Sequence, residues 1–251
     1  MSYLVWMNFS FAMIKPLLYP LAIVLFMVSV GYSQDSRNAS EVLQKAIKFH
    51  DPNNKWSYFD TSFKVVMETP NAPKRTSTIT ADFVNQQFVL AVEQGGNAYT
   101  YNMSKGDCSI TLNGNTEFTE ADAKKFRLSC DRGKTMKDYY TYLYGLPMKL
   151  KDPGTLLDQK VEVQKFKGKE YLVLKVRYDE NVGSDTWYFY FDPKTYAMEV
   201  YQFYHDESKN DGEYILLDGL EDINGIKMPK TRAWYMNKDN KYLGTDILFK
   251  N

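Results

Sequence analysis

Hydrophobic and polar residues alternate along much of the chain, most clearly within residues 168–206. A period of two is typical of β-strands, because successive side chains point to opposite faces of a sheet. Residues 171–178, 185–192 and 196–205 therefore predict three consecutive antiparallel strands. The middle strand is aromatic on both faces, which predicts a central strand with something packed on each side.

The same alternation predicts strands before and after this region. They fall at residues 57–68, 75–84, 87–93, 97–103, 108–112, 161–166, 212–221, 227–237 and 242–249. Turn-forming pairs such as Asn113-Gly114 and Asn224-Gly225 separate several of them.

Helical spacing predicts one N-terminal helix and a helical insert. Asn38 and Glu41 are typical of a helix start, and Pro52 ends that helix because the residue before a proline avoids helical geometry. In the insert, Thr119 begins a short helix that ends before Gly133. Residues 134–144 predict a second helix with Gly145 as its C-cap.

These elements predict a mainly β (α+β) fold of about ten or eleven strands. No regular β-α-β alternation occurs, so neither a TIM barrel nor a Rossmann fold fits. We expect one domain, residues 34–251, built as a strongly curved antiparallel sheet or half-barrel with helices over its concave side.

The first 33 residues resemble a signal peptide. Lys15 precedes the apolar run 17–30, and Gly31 and Ser33 supply small residues for cleavage before Gln34. We therefore expect a periplasmic or secreted protein, with membrane contact only transient or through an uncleaved signal. The alternative is an uncleaved N-terminal anchor.

Cys108 and Cys130 are the only cysteines, and an even number in an exported chain favours a disulfide. The alternative is a pair of reduced, buried thiols. A metal site would need more cysteine or histidine nearby, so no metal is expected.

The charge balance and the motifs exclude several functions. Lys and Arg number 31, as do Asp and Glu, which argues against a nucleic-acid surface. No G-x-S-x-G, H-E-x-x-H or P-loop occurs, so the sequence indicates no catalytic residues and no cofactor. Arg127, Arg132 and the lysines near Lys134 fit an anion site or a solvated helix face.

Four segments resemble an uncharacterised family of exported bacterial proteins, a domain of unknown function. They are HDPNNKW (50–56), YYTYLYGLPMKLKDPGT (139–155), VGSDTWYFYFDPKTYAMEVYQFYHD (182–206) and NDGEY (210–214). The fold of this family resembles the LolA/LolB-like outer-membrane lipoprotein carriers. The resemblance implies a curved sheet with a helical lid over an apolar cavity for acyl chains. No carrier motif matches residue by residue.

The leading hypothesis is an envelope protein that binds a lipid, an acyl chain or a lipoprotein-like apolar ligand in a half-barrel cavity. Aromatic stripes on the second insert helix and the central strands either line this cavity or fill a core. The candidate ligand-binding residues are Tyr139, Leu143, Tyr144, Trp187, Phe189, Phe191, Tyr201 and Phe203.

Two alternatives stay open. A cell-envelope enzyme would use a polar site of His50, His205, Asp211 and Glu213, since imidazoles and carboxylates supply general bases. Against it, His205 and Asp206 are adjacent on a predicted strand and point to opposite faces. The other alternative is an interaction module whose Tyr-rich face docks a protein that the sequence does not identify.

Overall fold

Twelve antiparallel strands form one sheet in the computed structural model, which describes residues 38–251. The predicted signal peptide and its cleavage site lie outside the described residues. The strands are β1 (Asp60–Thr69), β2 (Ala72–Asp82), β3 (Gln87–Gln94), β4 (Asn97–Ser104), β5 (Asp107–Leu112), β6 (Thr155–Phe166), β7 (Lys169–Tyr178), β8 (Thr186–Phe191), β9 (Met198–Tyr204), β10 (Glu213–Ile223), β11 (Ile226–Met236) and β12 (Tyr242–Lys250). The mainly β fold class predicted from the sequence is confirmed.

Within residues 38–251, three α-helices accompany the sheet: α1 (Ala39–His50), α2 (Glu120–Phe126) and α3 (Cys130–Gly145). Short 3₁₀ turns lie at Trp56–Tyr58, Met148–Lys151 and Glu207–Lys209. The Asn38 side chain accepts a hydrogen bond from the Ser40 N–H at 2.9 Å, as the capping pattern predicts.

The strand order is β5-β4-β3-β2-β1-β12-β11-β10-β9-β8-β7-β6. Two antiparallel meanders, β1–β5 and β6–β12, thus join where the first strand pairs with the last. Strands β5 and β6 are consecutive along the chain yet form opposite edges of the sheet. The insert between them, α2 and α3, therefore has to cross one whole face.

This crossing requires a curved sheet. Twelve flat strands would span about 50 Å from edge to edge at roughly 4.8 Å per strand. The 16 residues of α3 reach only about 24 Å at 1.5 Å per residue. The sheet instead wraps around α3: Tyr144 packs on Phe63 of β1 at 5.0 Å, and Tyr142 packs on Trp187 of β8 at 5.6 Å.

The concave side of the sheet is a filled core. Its large buried side chains come from both meanders and from α3, and they include Phe63, Tyr144, Phe189 and Tyr201. A second, smaller cluster around Tyr171 and three neighbours packs on the convex face. Strand β8 therefore carries packed aromatic residues on both faces, as predicted. It is the third strand from the β6 edge of the sheet.

One arginine is buried in this core. Arg232 is 1% exposed, lies over the Tyr144 ring at 3.8 Å and donates to the Pro229 carbonyl at 2.8 Å. Asp246 is its direct cross-strand neighbour and is also buried. The centre of the half-barrel is thus closed by packed aromatic rings and charged groups.

The predicted disulfide is confirmed. Cys108 of β5 bonds to Cys130, the first residue of α3, with 6.0 Å between the two Cα atoms. The bond attaches the start of the crossing helix to the edge strand from which the insert departs.

The boundary between the two insert helices was predicted wrongly. Helix α2 ends at Phe126, and α3 begins at Cys130 and continues through Gly133. Gly133 packs closely there, since a Cβ on it would lie 3.1 Å from the Tyr101 ring and that ring would have to shift. Gly145 is the last helical residue rather than a left-handed cap; a Cβ there would lie 2.3 Å from the Trp56 ring.

Candidate functional site

An open cleft of about 810 Å³ lies beside α3, where the helix passes the ends of β6, β7 and β8. Its aromatic wall is formed by Tyr139 and Tyr142 of α3, Tyr178 of β7 and Trp187 of β8. The loop between β7 and β8 adds Val182, whose side chain is 55% exposed. Ligand sites typically occupy about 300–1,000 Å³, so the size fits a small ligand.

The aromatic wall is held by its own contacts. The Tyr142 and Tyr178 hydroxyls hydrogen-bond to each other, and the Tyr142 ring meets Trp187 edge-on at 5.6 Å. Behind the wall, Phe203 stacks on Trp187 at 4.8 Å. Burial raises the pKa of Tyr178 to about 12 and that of Tyr142 well above its usual value, so both phenols stay neutral.

The rim of the cleft is polar. Lys149 and Asp152 form an ion pair on one side, and Asp138 and Asp185 lie on the others. Asp185 bonds the Nδ1 atom of His205 at 2.7 Å, and this hydrogen bond raises the pKa of His205. An apolar wall with a few polar groups at the rim suits a ligand that has an apolar body and a polar end.

Only two of the eight predicted ligand-binding residues, Tyr139 and Trp187, line this cleft. The others do not: Leu143, Tyr144, Phe189, Phe191 and Tyr201 are buried in the core, and Phe203 supports Trp187 from behind. The expected gap between α3 and the central strands is filled, because these side chains pack directly against one another. The ligand space under the helix is therefore absent from the described structure, and the cleft lies at the side of the helix.

Sequence reasoning missed Tyr142, Tyr178 and Val182. Tyr142 follows Tyr139 by three residues and thus shares a helix face with it, a signal that was available. Tyr178 ends a predicted strand, and Val182 lies in a loop of polar residues. Nothing in their local pattern showed that the β7–β8 loop returns to α3.

His50 has a structural position. It is fully buried, its Nδ1–H donates to the Lys227 carbonyl at 2.6 Å, and its Nε2 accepts from the Met198 N–H at 3.0 Å. Burial lowers its pKa to about 4, so the imidazole is neutral near pH 7. The ring ties α1 to β11 and β9.

The structure brings His205, Asp211 and Glu213 of the predicted polar site near one another, and His50 lies apart from them. His50 contacts Met198, the first residue of β9, whereas His205 follows the last residue of that strand. Seven residues of strand place the two about 23 Å apart at roughly 3.3 Å per residue. This separation contradicts a shared catalytic site for His50 and His205.

The two predicted carboxylates lie near His205, and the negative charges of both contribute to its raised pKa. Asp211 accepts the backbone N–H groups of His205 and Asp206 at 2.9 and 2.8 Å, so it orders a turn. Glu213 is half-buried in a smaller cavity of about 270 Å³ beside Asp246, and burial raises its pKa.

A row of tyrosines crosses the convex face. Tyr188, Gln202, Tyr214, Tyr235 and Tyr242 are successive cross-strand partners from β8 to β12. Tyr214 and Tyr235 stack at 5.1 Å. This is the Tyr-rich face of the interaction hypothesis, which stays a prediction.

Within residues 38–251, no three His, Cys, Asp or Glu side chains are grouped so that they could hold a metal ion. None of the helices in that range is both long enough and apolar enough to span a bilayer.

The fold and the cleft define a class: a curved antiparallel sheet wrapped around a crossing helix, with a side cleft that carries no catalytic motif. The chain belongs to the family of unknown function DUF6503, whose model matches residues 21–251. The family of unknown function predicted from the sequence is confirmed. No curated protein matches the chain.

Solved structures with a similar arrangement share little sequence with this chain. A LolA superfamily protein from Nitrosomonas europaea is 11% identical, with 85% of this chain and 92% of that one covered and a TM-score of 0.49. A putative outer membrane lipoprotein-sorting protein domain from Vibrio parahaemolyticus is 13% identical, with 84% and 93% covered and a TM-score of 0.48. A DUF1329 family protein from Desulfovibrio piger is 8% identical, with 84% and 91% covered and a TM-score of 0.47.

Proposed function

We propose that this protein is an exported envelope protein that binds an apolar or amphipathic ligand, such as a lipid or an acyl chain, in the cleft beside α3. The observation that carries the proposal is the open cleft of about 810 Å³ with four aromatic side chains in its wall. Polar groups lie at its rim, so an acyl chain would lie along the wall with its polar end toward solvent.

The driving force is the removal of apolar surface from water. Each buried CH₂ group contributes about 0.8 kcal/mol, against an association cost of about 4–15 kcal/mol. A chain of about ten or more carbons is therefore needed for useful affinity. Short or fully polar molecules lack the necessary apolar area.

Two features support export. The predicted signal peptide precedes the domain, and the Cys108–Cys130 bond suits an oxidising compartment. The enzyme alternative is not supported, because the two histidines on which it depends lie at opposite ends of β9.

The binding proposal is tested with an environment-sensitive naphthylamine dye and its displacement by palmitate. Val182→Asp places a carboxylate on the apolar cleft surface and should weaken dye and palmitate binding at least about tenfold. Val163→Asp is the matched control, since Val163 on β6 is 62% exposed and does not line the cleft. Equal affinities in both variants and the parent, or no dye binding by the parent, would reject the cleft.

A direct measurement complements the dye. Protein purified from its own envelope fraction should carry a bound lipid in native mass spectrometry, and the Val182→Asp protein should carry less of it. If the parent binds palmitate but the Val182→Asp substitution leaves the dye signal unchanged, the ligand binds outside this cleft.

A further inference from the structure

A second cavity lies on the other side of α3. It has a volume of about 210 Å³ and is lined by β2, β3 and β4, by the end of α2 and by the first half of α3. Met136 and Tyr140 of α3 face it, whereas the neighbouring Tyr139 faces the aromatic cleft. The cavity is therefore separate from the proposed lipid site.

Four cationic side chains line this cavity: Arg75, Lys125, Arg127 and Arg132. Of the described residues that line it, none is an aspartate or a glutamate. Among residues 38–251, no salt bridge joins any of the four to a carboxylate. The Nε–H of Arg75 is shielded from solvent and has no hydrogen-bond acceptor in the described part of the chain.

The acidic groups nearby are engaged elsewhere. Asp131, next to Arg132, pairs with Lys134 outside the cavity. Asp246, which is buried and lies within electrostatic reach of Arg75, accepts a hydrogen bond from the Trp234 indole. The cavity thus concentrates positive charge that no carboxylate of its own wall compensates.

The surroundings strengthen the field of Arg75 in particular. The rings of Tyr99, Tyr101 and Phe126 and the side chain of Leu90 form part of the wall, and Arg75 is half-buried, so water screens its charge less than that of an exposed side chain. Like charges around one cavity repel, and a shielded Nε–H without an acceptor is costly. Both costs are removed when an anion with several acceptor oxygens enters.

We propose that this cavity binds a phosphate monoester group. Such a group carries about −1.5 to −2 charge at pH 7 and offers three acceptor oxygens. Arginine forks match these oxygens in pairs, and three of the four cations are arginines. A single carboxylate would leave most of the positive charge uncompensated.

The same chemistry has two sources: a soluble phosphorylated molecule, or a lipid headgroup that ends in a phosphate monoester. The experiment separates them. Isothermal titration calorimetry in HEPES buffer at constant ionic strength measures the binding of inorganic phosphate and of glycerol 3-phosphate. Cosedimentation measures binding to phosphatidylcholine vesicles with and without phosphatidic acid.

Arg75→Gln and Arg132→Gln should each weaken binding at least about tenfold, as expected when a charge-assisted hydrogen bond is lost. Lys124→Gln is the matched control, because it removes the same charge from exposed α2 without touching the cavity; its affinity should stay within about twofold of the parent. Circular dichroism checks that each variant is folded. If Arg75→Gln fails to fold, Arg132→Gln at the start of α3 decides alone.

Saturable binding of the soluble phosphates supports a soluble source, and binding only to phosphatidic acid vesicles supports a headgroup. The proposal is overturned if neither experiment shows saturable binding. It is also overturned if Lys124→Gln loses as much affinity as the two arginine variants. Val182→Asp should bind phosphate like the parent, so failure of the cleft and failure of this site are distinguishable.

Discussion

At the scale of single residues, burial rather than identity decides what a histidine does. His50 and His205 are each followed by an aspartate in the sequence. His50 is enclosed between α1, β9 and β11 and held neutral, whereas His205 is exposed and paired with Asp185. The pKa of His50 is consequently lowered from its usual value, and that of His205 is raised.

Acid should therefore destabilise the protein through His50. Its folded pKa, about 4, is below the unfolded value of 6.5, so the unfolded chain takes up the proton first as the pH falls. The stabilisation is complete above pH 6.5 and is lost as the pH falls toward 4, by about 3 kcal/mol in total. Urea unfolding between pH 4 and 7.5 measures it. His50→Gln should be less stable at pH 7 and should flatten this part of the profile.

His205 has the opposite effect on the pH dependence of folding stability. Its hydrogen bond with Asp185 raises its pKa, so its stabilisation is present below pH 6.5 and is lost as the pH rises through the folded value. His205→Gln should leave the loss of stability between pH 6.5 and 4 in place. A profile in which His205→Gln, rather than His50→Gln, removes the acid sensitivity would contradict the assignment.

At the scale of elements, strand β8 joins the core to the cleft. Phe189 is fully buried and lies between Trp187 at 5.9 Å and Tyr201 at 6.4 Å. Phe189→Ala should lower the free energy of unfolding by about 3–5 kcal/mol, because it leaves a cavity in a packed core. Phe249→Ala on β12, where the ring is 40% exposed, is the control and should cost less than about 1 kcal/mol. Similar costs would show that the space under α3 is open after all.

The disulfide acts on the crossing helix. Cys108 and Cys130 are 22 residues apart, and the loop that their bond closes should contribute about 3 kcal/mol through the unfolded state. Thermal unfolding of the double variant Cys108→Ser, Cys130→Ser, compared with the oxidised parent, checks this. Two free thiols in protein that was denatured under alkylating conditions would show that the bond does not form.

At the scale of the whole molecule, one topological fact organises both cavities. Because β5 and β6 form opposite edges of the sheet, α3 has to cross the concave face and divides it. The aromatic cleft lies toward β6–β8 and has a net acidic rim, whereas the arginine-lined cavity lies toward β2–β4. The two sides of one helix thus favour ligands of different chemistry.

Export concerns the whole molecule too. N-terminal sequencing of protein from the envelope fraction should begin at or near Gln34. The physical reason is the order of charge, apolar run and small residues that signal peptidases recognise. Cytoplasmic protein that still carries the residues before Gln34 would contradict export.

The sequence alone determined the elements and their order. Strand periodicity, Asn38, Pro52 and the glycine turns act over a few residues, so their effect can be read locally. Gly145 shows the limit of this reading: it resembles a helix cap, but its role is set by Trp56, almost ninety residues earlier. The pairing of Cys108 with Cys130 was accessible only because no other cysteines compete.

Only the tertiary structure decided which aromatic residues are core and which are wall. Tyr139 and Tyr140 are neighbours on one helix with similar composition around them, yet they face two different cavities. Arg75 lies in a Thr-rich strand with no sign of a site, and it lines one cavity with Arg127 and Arg132 only because the helical insert packs over β2, β3 and β4. Periodicity fixes the face of an element on which a side chain lies, whereas the partner opposite that face depends on long-range packing, and no local pattern encodes it.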